Sequence, residues 1–406
     1  MRVLIAGGGM VGLAFAIALR HISDDVKVTV LEARLPPTGT PSPLDSRASA
    51  LNLVSKGIFE AWGLWSSLAT KLGVIRQIHV SNQQRFGSGL LQPADVGSEE
   101  DTLGFVIENH HLGRAFLERA QALDIELQAP VDVASLEREA PPRLILSTGD
   151  SLPADLVIVA DGSHSPLREK LGIDVDIRRT GQRAVVANVL FSAAQQGIAW
   201  ERFTPYGPLA LLPLPDQSGS TGSRFNVVWS MSEEQAEAFE FSEGDEFCRG
   251  LQQAVGWRLG KVLAVGKRTG WTLDRVLAKE QVRSGFLLAG NAAHGLHPVA
   301  GQGLNLSLRD AWHLGAAFRE QLTATKALCV PAALQTFAAR VRQDQQETIG
   351  ATDLLSTLFS RRGPLLDLPR DIALASLDTL SPLRRYIARR GTGGRRLANN
   401  TLKVTS

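Results

Sequence analysis

The sequence predicts an α/β chain in which a parallel-sheet nucleotide-binding unit is interrupted by a mostly antiparallel sheet and followed by a helical region. Three observations predict it. Short apolar runs at residues 2–6, 155–160 (DLVIVA) and 285–289 (GFLLA) each end in a polar or glycine-bearing turn, as buried strands of a parallel sheet do. Residues 2–31 read as strand, helix and strand within about thirty residues, which is a βαβ unit. Between about residues 180 and 277 the pattern turns to alternation, in 184–190 and 225–229, around a proline-rich stretch at 205–215.

Taken in order, the first strand stops at Gly7-Gly8-Gly9, a helix follows over 10–21, and a second strand over 27–31. Residues 112–123 read as a helix, as do 305–318. The segment 217–223 (QSGSTGS) reads as a hairpin tip. Past residue 330 the chain is helical, amphipathic over 332–348, and from Arg361 it holds ten Arg or Lys against Asp367, Asp371 and Asp378. These changes divide the chain into a nucleotide-binding domain (1–72, 101–178 and 281–330), a substrate domain (73–100 and 179–280) and a C-terminal helical region (331–406). No internal repeat is visible.

Composition narrows the class. Hydrophobic residues make up 44% and charged residues 21% of 406, values of a soluble globular chain rather than a disordered one. A formal net charge of +2 gives no reason to expect nucleic acid as a partner. With only two cysteines, Cys248 and Cys329, no disulfide framework is expected, and a reducing compartment is. The opening apolar run breaks into glycine too soon for a signal peptide, and no run is long enough to span a bilayer, so a cytoplasmic protein is expected.

Three segments carry chemistry. In the first, Gly7-x-Gly9-x-x-Gly12, Gly7 permits a tight strand-to-helix turn, Gly9 lets a pyrophosphate approach the backbone, and Gly12 allows close helix–strand packing. The pyrophosphate would sit at the helix N-terminus, and Glu32, about 20 residues on, would grip ribose hydroxyls and disfavour a 2′-phosphate. The second, 157–168 (VIVADGSHSPLR), delivers Asp161 and Gly162 to the carboxyl end of a strand, where open α/β sheets bind ligands. Alone it reads as an Asx turn with Arg168 on a surface helix. The third, 287–305 (LLAGNAAHGLHPVAGQGLN), ends a strand in Asn291 and then opens a helix around Gly301 and Gly303, which admit something flat beside the backbone. His294 and His297 have no acidic or cysteine partners in sequence, and no metal is expected.

Together these segments resemble the class A flavoprotein monooxygenases of the para-hydroxybenzoate hydroxylase fold, from residue 2 to about residue 320. Segments 201–213 (ERFTPYGPLALLP), 247–261 (FCRGLQQAVGWRLGK) and 348–353 (TIGATD) narrow the resemblance to the ubiquinone-biosynthesis hydroxylases, and within them to those acting on 2-polyprenyl-6-methoxyphenol. The resemblance implies an FAD-binding Rossmann-like domain of the glutathione reductase type, interrupted by an antiparallel substrate sheet. It implies that Gly7, Gly9, Gly12 and Glu32 hold the ADP half of FAD, with Arg47 near the flavin and Arg114 as a further cofactor contact. Asp161 and Gly162 match a motif linked to FAD and NAD(P)H. Asn291 stands where most of the family has Asp, and an amide can still accept one hydrogen bond and donate another. Backbone at Gly301, Gln302, Gly303 and Asn305 would face the flavin, with His297 and Pro298 lining the ring pocket.

The implied chemistry is reduction of FAD by NADPH or NADH as a transient co-substrate, reaction with O₂ to a C4a-hydroperoxide, and hydroxylation of a polyprenylated phenol. No classical acid or base is assigned. Phe203, Tyr206, Leu209 and Leu211, and Pro205 with them, are expected to line an apolar pocket between the domains, although ordinary core explains such residues equally well. A polyprenylated phenol lives in a bilayer, so some surface must meet the inner membrane; the basic segment after Arg361 reads equally as that peripheral contact, as a docking surface for other ubiquinone-biosynthesis proteins, or as a solvated tail. Three other readings stay open: a relative acting on another ring position or a soluble aromatic, an FAD-dependent reductase, and a non-catalytic partner in a ubiquinone-synthesis complex.

Overall fold

The computed structural model describes residues 1–360 apart from 36–38, 40, 41, 43, 84–87, 97–100, 196, 216–221 and 297–300, with side chains to residue 353, and beyond them only Arg385. His297 and Pro298, the hairpin tip expected at 217–223 save its last two residues, and the rest of the basic segment lie outside the described residues.

A six-stranded sheet forms the first layer. Its order is Val282–Arg283, Phe286–Leu288, Leu156–Val159, Arg2–Ala6, Lys27–Leu31 and Glu126–Gln128, parallel throughout except for the hairpin at 282–288. Val3 and Ile5 on one face and Leu4 and Ala6 on the other are buried, which explains why these strands read as continuous apolar runs. Helix Met10–Arg20 packs on one face with Asn109–Ala122 and Gln302–Thr325, around Phe15, Phe116, Leu314 and Phe318. The helix expected over 112–123 thus starts three residues earlier, and that expected over 305–318 begins at Gln302 and runs on to Thr325. Val330–Ser360 then packs back against it.

The second layer is an eight-stranded sheet. Its path runs Val262–Val265, Gln182–Phe191, Ser223–Ser232, Pro208–Pro213, Ile198–Phe203, Gln77–Asn82 and Ser88–Leu91, with Thr269–Thr272 also paired to Gln182–Phe191. All pairings are antiparallel except that of Ile198–Phe203 with Gln77–Asn82. Pro208 and Pro213 stand at the two ends of their strand, where a missing N–H costs the ladder least. Two helices, Glu233–Phe241 and Gly244–Val255, cover one face and bury Phe247, Leu251 and Ala254 against Val185, Val189, Phe225 and Trp229. A three-stranded sheet of Ala48–Leu51, Gly104–Glu108 and Leu72–Ile75 lies between the layers. No helix among the described residues is long and apolar enough to cross a membrane.

Candidate cofactor and substrate site

The site is built where strand ends meet. Gly7 has φ +113°, and a Cβ there would collide with the Ala160 carbonyl; one on Gly12 would collide with the carbonyl of Gly7. Both glycines are therefore demanded by packing of the turn. Gly9 is different: its backbone is extended, and a Cβ would meet nothing within 4 Å. The helix it precedes has no side-chain cap, so its N-terminal amides are not satisfied by a side chain at that position. Glu32 is fixed beside this turn, accepting from Gly8 N–H at 2.6 Å and Arg34 N–H at 3.0 Å.

Asp161 follows the neighbouring strand. Its Oδ2 accepts from Leu167 N–H at 3.3 Å, while its buried Oδ1 has no partner among the described residues. Burial raises its carboxyl above the usual range, against the opposing effect of hydrogen bonds from Ser165 and Leu167. Gly162 (φ +96°) turns the chain here, again with nothing within 4 Å of a Cβ. Arg168 is not a surface residue. It is buried and donates to the Ser163 carbonyl at 3.2 Å and the Ala292 carbonyl at 3.1 Å, tying the second turn to the third.

In the third segment Asn291 is exposed within the short helical turn Gly290–Ala292. His294 is buried with Nε2 2.7 Å from Asp310 Oδ2, so its ring serves a buried pair. Gly301 (φ +60°) caps the Gln302 helix, whose first residue, Gln302, is buried; a Cβ on Gly303 would meet nothing within 4 Å. Asn305 is wholly engaged within the protein: Oδ1 accepts from Asn52 N–H and Ser55 Oγ, and Nδ2 donates to the carbonyls of Ala50 and Gly301. It clamps the helix N-terminus onto strand Ala48–Leu51.

The two arginines differ in setting. Arg47 is exposed with its guanidinium 4.8 Å from the Trp271 ring centre, and Asp45 accepts from Lys267 N–H at 2.8 Å, so this loop docks on the large sheet. Arg114 lies inside the helix Asn109–Ala122, exposed and paired to Glu118 at 2.9 Å.

Strand register sorts the expected pocket residues. Leu209 and Leu211 belong to the core under the two covering helices. Tyr206, 40% exposed, packs edge-on to Trp229 and Phe239 of that same side. Ala210 and Leu212 point to the opposite face, because successive side chains of a strand alternate. Phe203 lies outside that core and shares the opposite face with Ala199, Val80 and Val228. Ala199 and Leu212 on this face pack toward Ala48 and Val106 of the small sheet, whose Ala50 abuts Gly301. The face thus looks toward the third segment.

Polar side chains share it, among them Asn82, Asn188, Arg224, Asn226 and Ser230. Asn226 Nδ2 donates to Asn188 at 2.8 Å, and Arg224 pairs with Glu108 at 3.4 Å, all four side chains buried. Glu201 stands opposite Ala210 and Val80, enclosed by protein yet keeping some accessible surface. Burial, with no charge opposing it, pushes its carboxyl up to about 7. Nothing in the local motif marks Glu201; alternation along Ile198–Phe203 is the sequence signal that sets it on this face.

A family model described as FAD binding domain matches residues 1–343. The chain is 33% identical over 397 residues to the ubiquinone hydroxylase UbiL of Rhodospirillum rubrum, covering 96% of this chain and 89% of that one. The chain belongs to the FAD-binding ubiquinone hydroxylases. This family member is also 28% identical over 397 residues to the 3-demethoxyubiquinol 3-hydroxylase of Escherichia coli, covering 96% and 98% of the two chains. Its fold matches that of the p-nitrophenol 4-monooxygenase PnpA of Pseudomonas putida with a TM-score of 0.77 at 21% identity, over 100% of this chain and 98% of that. As a flavin-dependent aromatic monooxygenase it takes FAD, with NAD(P)H and O₂ as co-substrates. The residues present fit FAD: neither packing nor φ requires glycine at Gly9 or Gly303, and the orphaned Asp161 Oδ1 awaits a donor.

Proposed function

We propose that this enzyme hydroxylates the aromatic ring of 2-polyprenyl-6-methoxyphenol in ubiquinone biosynthesis. The observation that carries this reading is the sheet face of Val80, Ala199, Phe203, Ala210, Leu212 and Val228, apolar and turned toward the Gly301–Gly303 segment. Such a face suits a prenylated ring, and ligand sites favour the seam between structural layers. The near full-length likeness to UbiL supports the pathway.

In this reading the Met10 helix N-terminus and Gly9 receive the pyrophosphate, and Glu32, already held by two backbone amides, accepts from ribose hydroxyls. Asp161, Gly162 and Asn291 serve the middle of FAD, and Arg47 and Arg114 its approach. Backbone at Gly301–Gly303 faces the flavin, positioned by Asn305, and His297 and Pro298 flank the ring. Bound FAD would supply the redox chemistry that activates O₂ for transfer to an electron-rich ring, and these residues would hold and orient it. The division of the chain into FAD-binding segments (1–72, 101–178, 281–330) and substrate segments (73–100, 179–280) belongs to the same proposal, as does peripheral docking at the inner membrane through residues after Arg361.

A second reading, hydroxylation at another ring position, draws on the likeness to the Escherichia coli protein, whose name specifies the 3-position of a demethoxyubiquinol. The test is turnover of FAD-loaded enzyme with NAD(P)H against a panel of polyprenylated phenols differing in ring substitution, with products identified by mass spectrometry. A product oxygenated only from 2-polyprenyl-6-methoxyphenol supports the first reading. Product only from a demethoxyubiquinol replaces it with the second.

A further inference from the structure

Glu201 is an ionisable group for which folding supplies no partner. Pairing across the sheet sets Ala210 on one side and Val80 on the other, with Val228 beyond Ala210, and Ala199 and Phe203 flank it along its own strand on the same face. Among the described residues no hydrogen bond or ion pair reaches its carboxyl. Its chain neighbour Arg202 points to the other face, donating to the Ala254 carbonyl at 2.7 Å and to Ser81. A carboxyl placed among apolar side chains without a hydrogen-bond or ionic partner costs the fold stability, so its presence calls for a functional reason. The face it occupies is the one proposed above to receive the phenol ring, so the inference rests on that reading.

We infer that Glu201 is a catalytic residue that accepts the phenol proton of the substrate, converting the ring to its more electron-rich phenolate before oxygen transfer. The step moves one proton from the phenol oxygen to a Glu201 carboxylate oxygen, and no electrons. The new oxygen comes from O₂, with electrons from NAD(P)H through FAD, as the enzyme class supplies. The ring proton displaced by the new oxygen leaves to solvent, and Glu201 returns its own proton to the product or to solvent, closing the cycle.

The surroundings suit this work. A base is most effective with its pKa near the working pH, and burial brings this carboxyl to about 7. The other charged groups on or bordering the face are already committed. Arg224 and Glu108 pair with each other, and Arg47 lies over Trp271, which register sets on this face opposite Ala184. His110, beside Glu108, is bound to Ser46, and His111 is held near 4 by burial and by its neighbour His110, so it is neutral at working pH. Asn188 and Asn226 do not titrate.

The experiment compares FAD-loaded wild-type enzyme, Glu201→Gln and Glu201→Asp with 2-geranyl-6-methoxyphenol and its O-methyl ether, which has no proton to give. We expect wild-type hydroxylation of the phenol to rise through pH about 7 and the ether to be left unreacted. The Gln variant should be reduced by NAD(P)H within twofold of the wild-type rate, yet form product ~100-fold more slowly without that pH step. The O₂ it consumes should emerge as hydrogen peroxide. The Asp variant should keep the pH step at a lower rate. A Gln variant with wild-type product formation and pH profile would overturn the inference. Loss of bound FAD from that variant would make Glu201 a structural residue and overturn it equally. Wild-type enzyme that is bleached by NAD(P)H but oxygenates no phenol in the panel would sink the substrate reading and this inference together.

Discussion

The Arg168 guanidinium donates to the carbonyl of Ala292, 3.1 Å away and 124 residues later in the chain. Through this bond, and those to Ser163, the turn carrying Asp161 and the turn carrying Asn291 are held at one spacing. Arg168→Ala should therefore reduce FAD affinity although Arg168 need touch no part of FAD. The loss of a buried, charge-assisted bond costs about 1.5–3 kcal/mol. Titration of apo-enzyme with FAD, followed by flavin fluorescence, checks it; unchanged affinity would show that the two turns hold their spacing without it.

The glycines of the first turn separate into two kinds. Gly12→Ala must displace the Gly7 backbone and should lower stability by about 1–3 kcal/mol or more, seen as a fall in melting temperature even without FAD. Gly9→Val has room in the protein, so apo-protein should fold normally and purify colourless. A yellow, fully loaded Gly9→Val variant would refute pyrophosphate approach at this position.

Asn305 makes four hydrogen bonds, to strand Ala48–Leu51, to the start of the helix Leu53–Ala61 that follows it, and to the start of its own helix. Asn305→Ala leaves buried donors and acceptors unsatisfied and should cost about 2–4 kcal/mol. Denaturant unfolding of the apo-protein measures this directly, with no contribution from FAD.

Asn291 is exposed and makes no demand on the protein around it, so Asn291→Asp should fold and bind FAD within about tenfold of wild type. Visible absorbance of the purified variant tests this. Complete loss of flavin would mean that the amide donates a bond no carboxylate can replace.

Glu201 also governs stability. Its folded pKa of about 7 lies above the model value of 4.5, so between those values the native state binds more protons than the unfolded one. Stability therefore falls as pH rises from 4.5 to 7 and stays lower above. Glu201→Gln removes this dependence: the variant should match wild type near pH 4.5 and exceed it at pH 8. The gain is at most about 3 kcal/mol, less the screening from remaining solvent contact. Equal melting temperatures for the two proteins at pH 8 would contradict it.

What the sequence made legible was local. A strand that ends in Gly7-x-Gly9-x-x-Gly12 carries its turn, its helix and its ligand chemistry within a few residues, and both later strand-ending turns follow the same rule. What it concealed depends on distant partners. Alternation over 208–213 separates Leu209 and Leu211 from Ala210 and Leu212, but which pair faces inward was decided by helices Glu233–Phe241 and Gly244–Val255, unforeseen within the antiparallel region. The His110-His111 pair reads as a helix start, and the helix does begin there, at Asn109, but the bond that anchors it, from Asn109 N–H to the Arg47 carbonyl, comes from far along the chain. Arg168 resembled a surface residue because its acceptor at Ala292 lies far along the chain.

The parallel pairing of Ile198–Phe203 with Gln77–Asn82 has a consequence for dissecting the molecule. The large sheet borrows two of its strands from chain that precedes Leu156–Val159, so it cannot be excised as one continuous piece. A fragment of residues 179–280 would bare the edge of Ile198–Phe203, with Trp200 stripped of His79 and Arg202 of Ser81. Such an edge pairs readily with other chains, and the excised sheet should aggregate. Gene fusions or split reporters built on this enzyme need their breakpoints elsewhere.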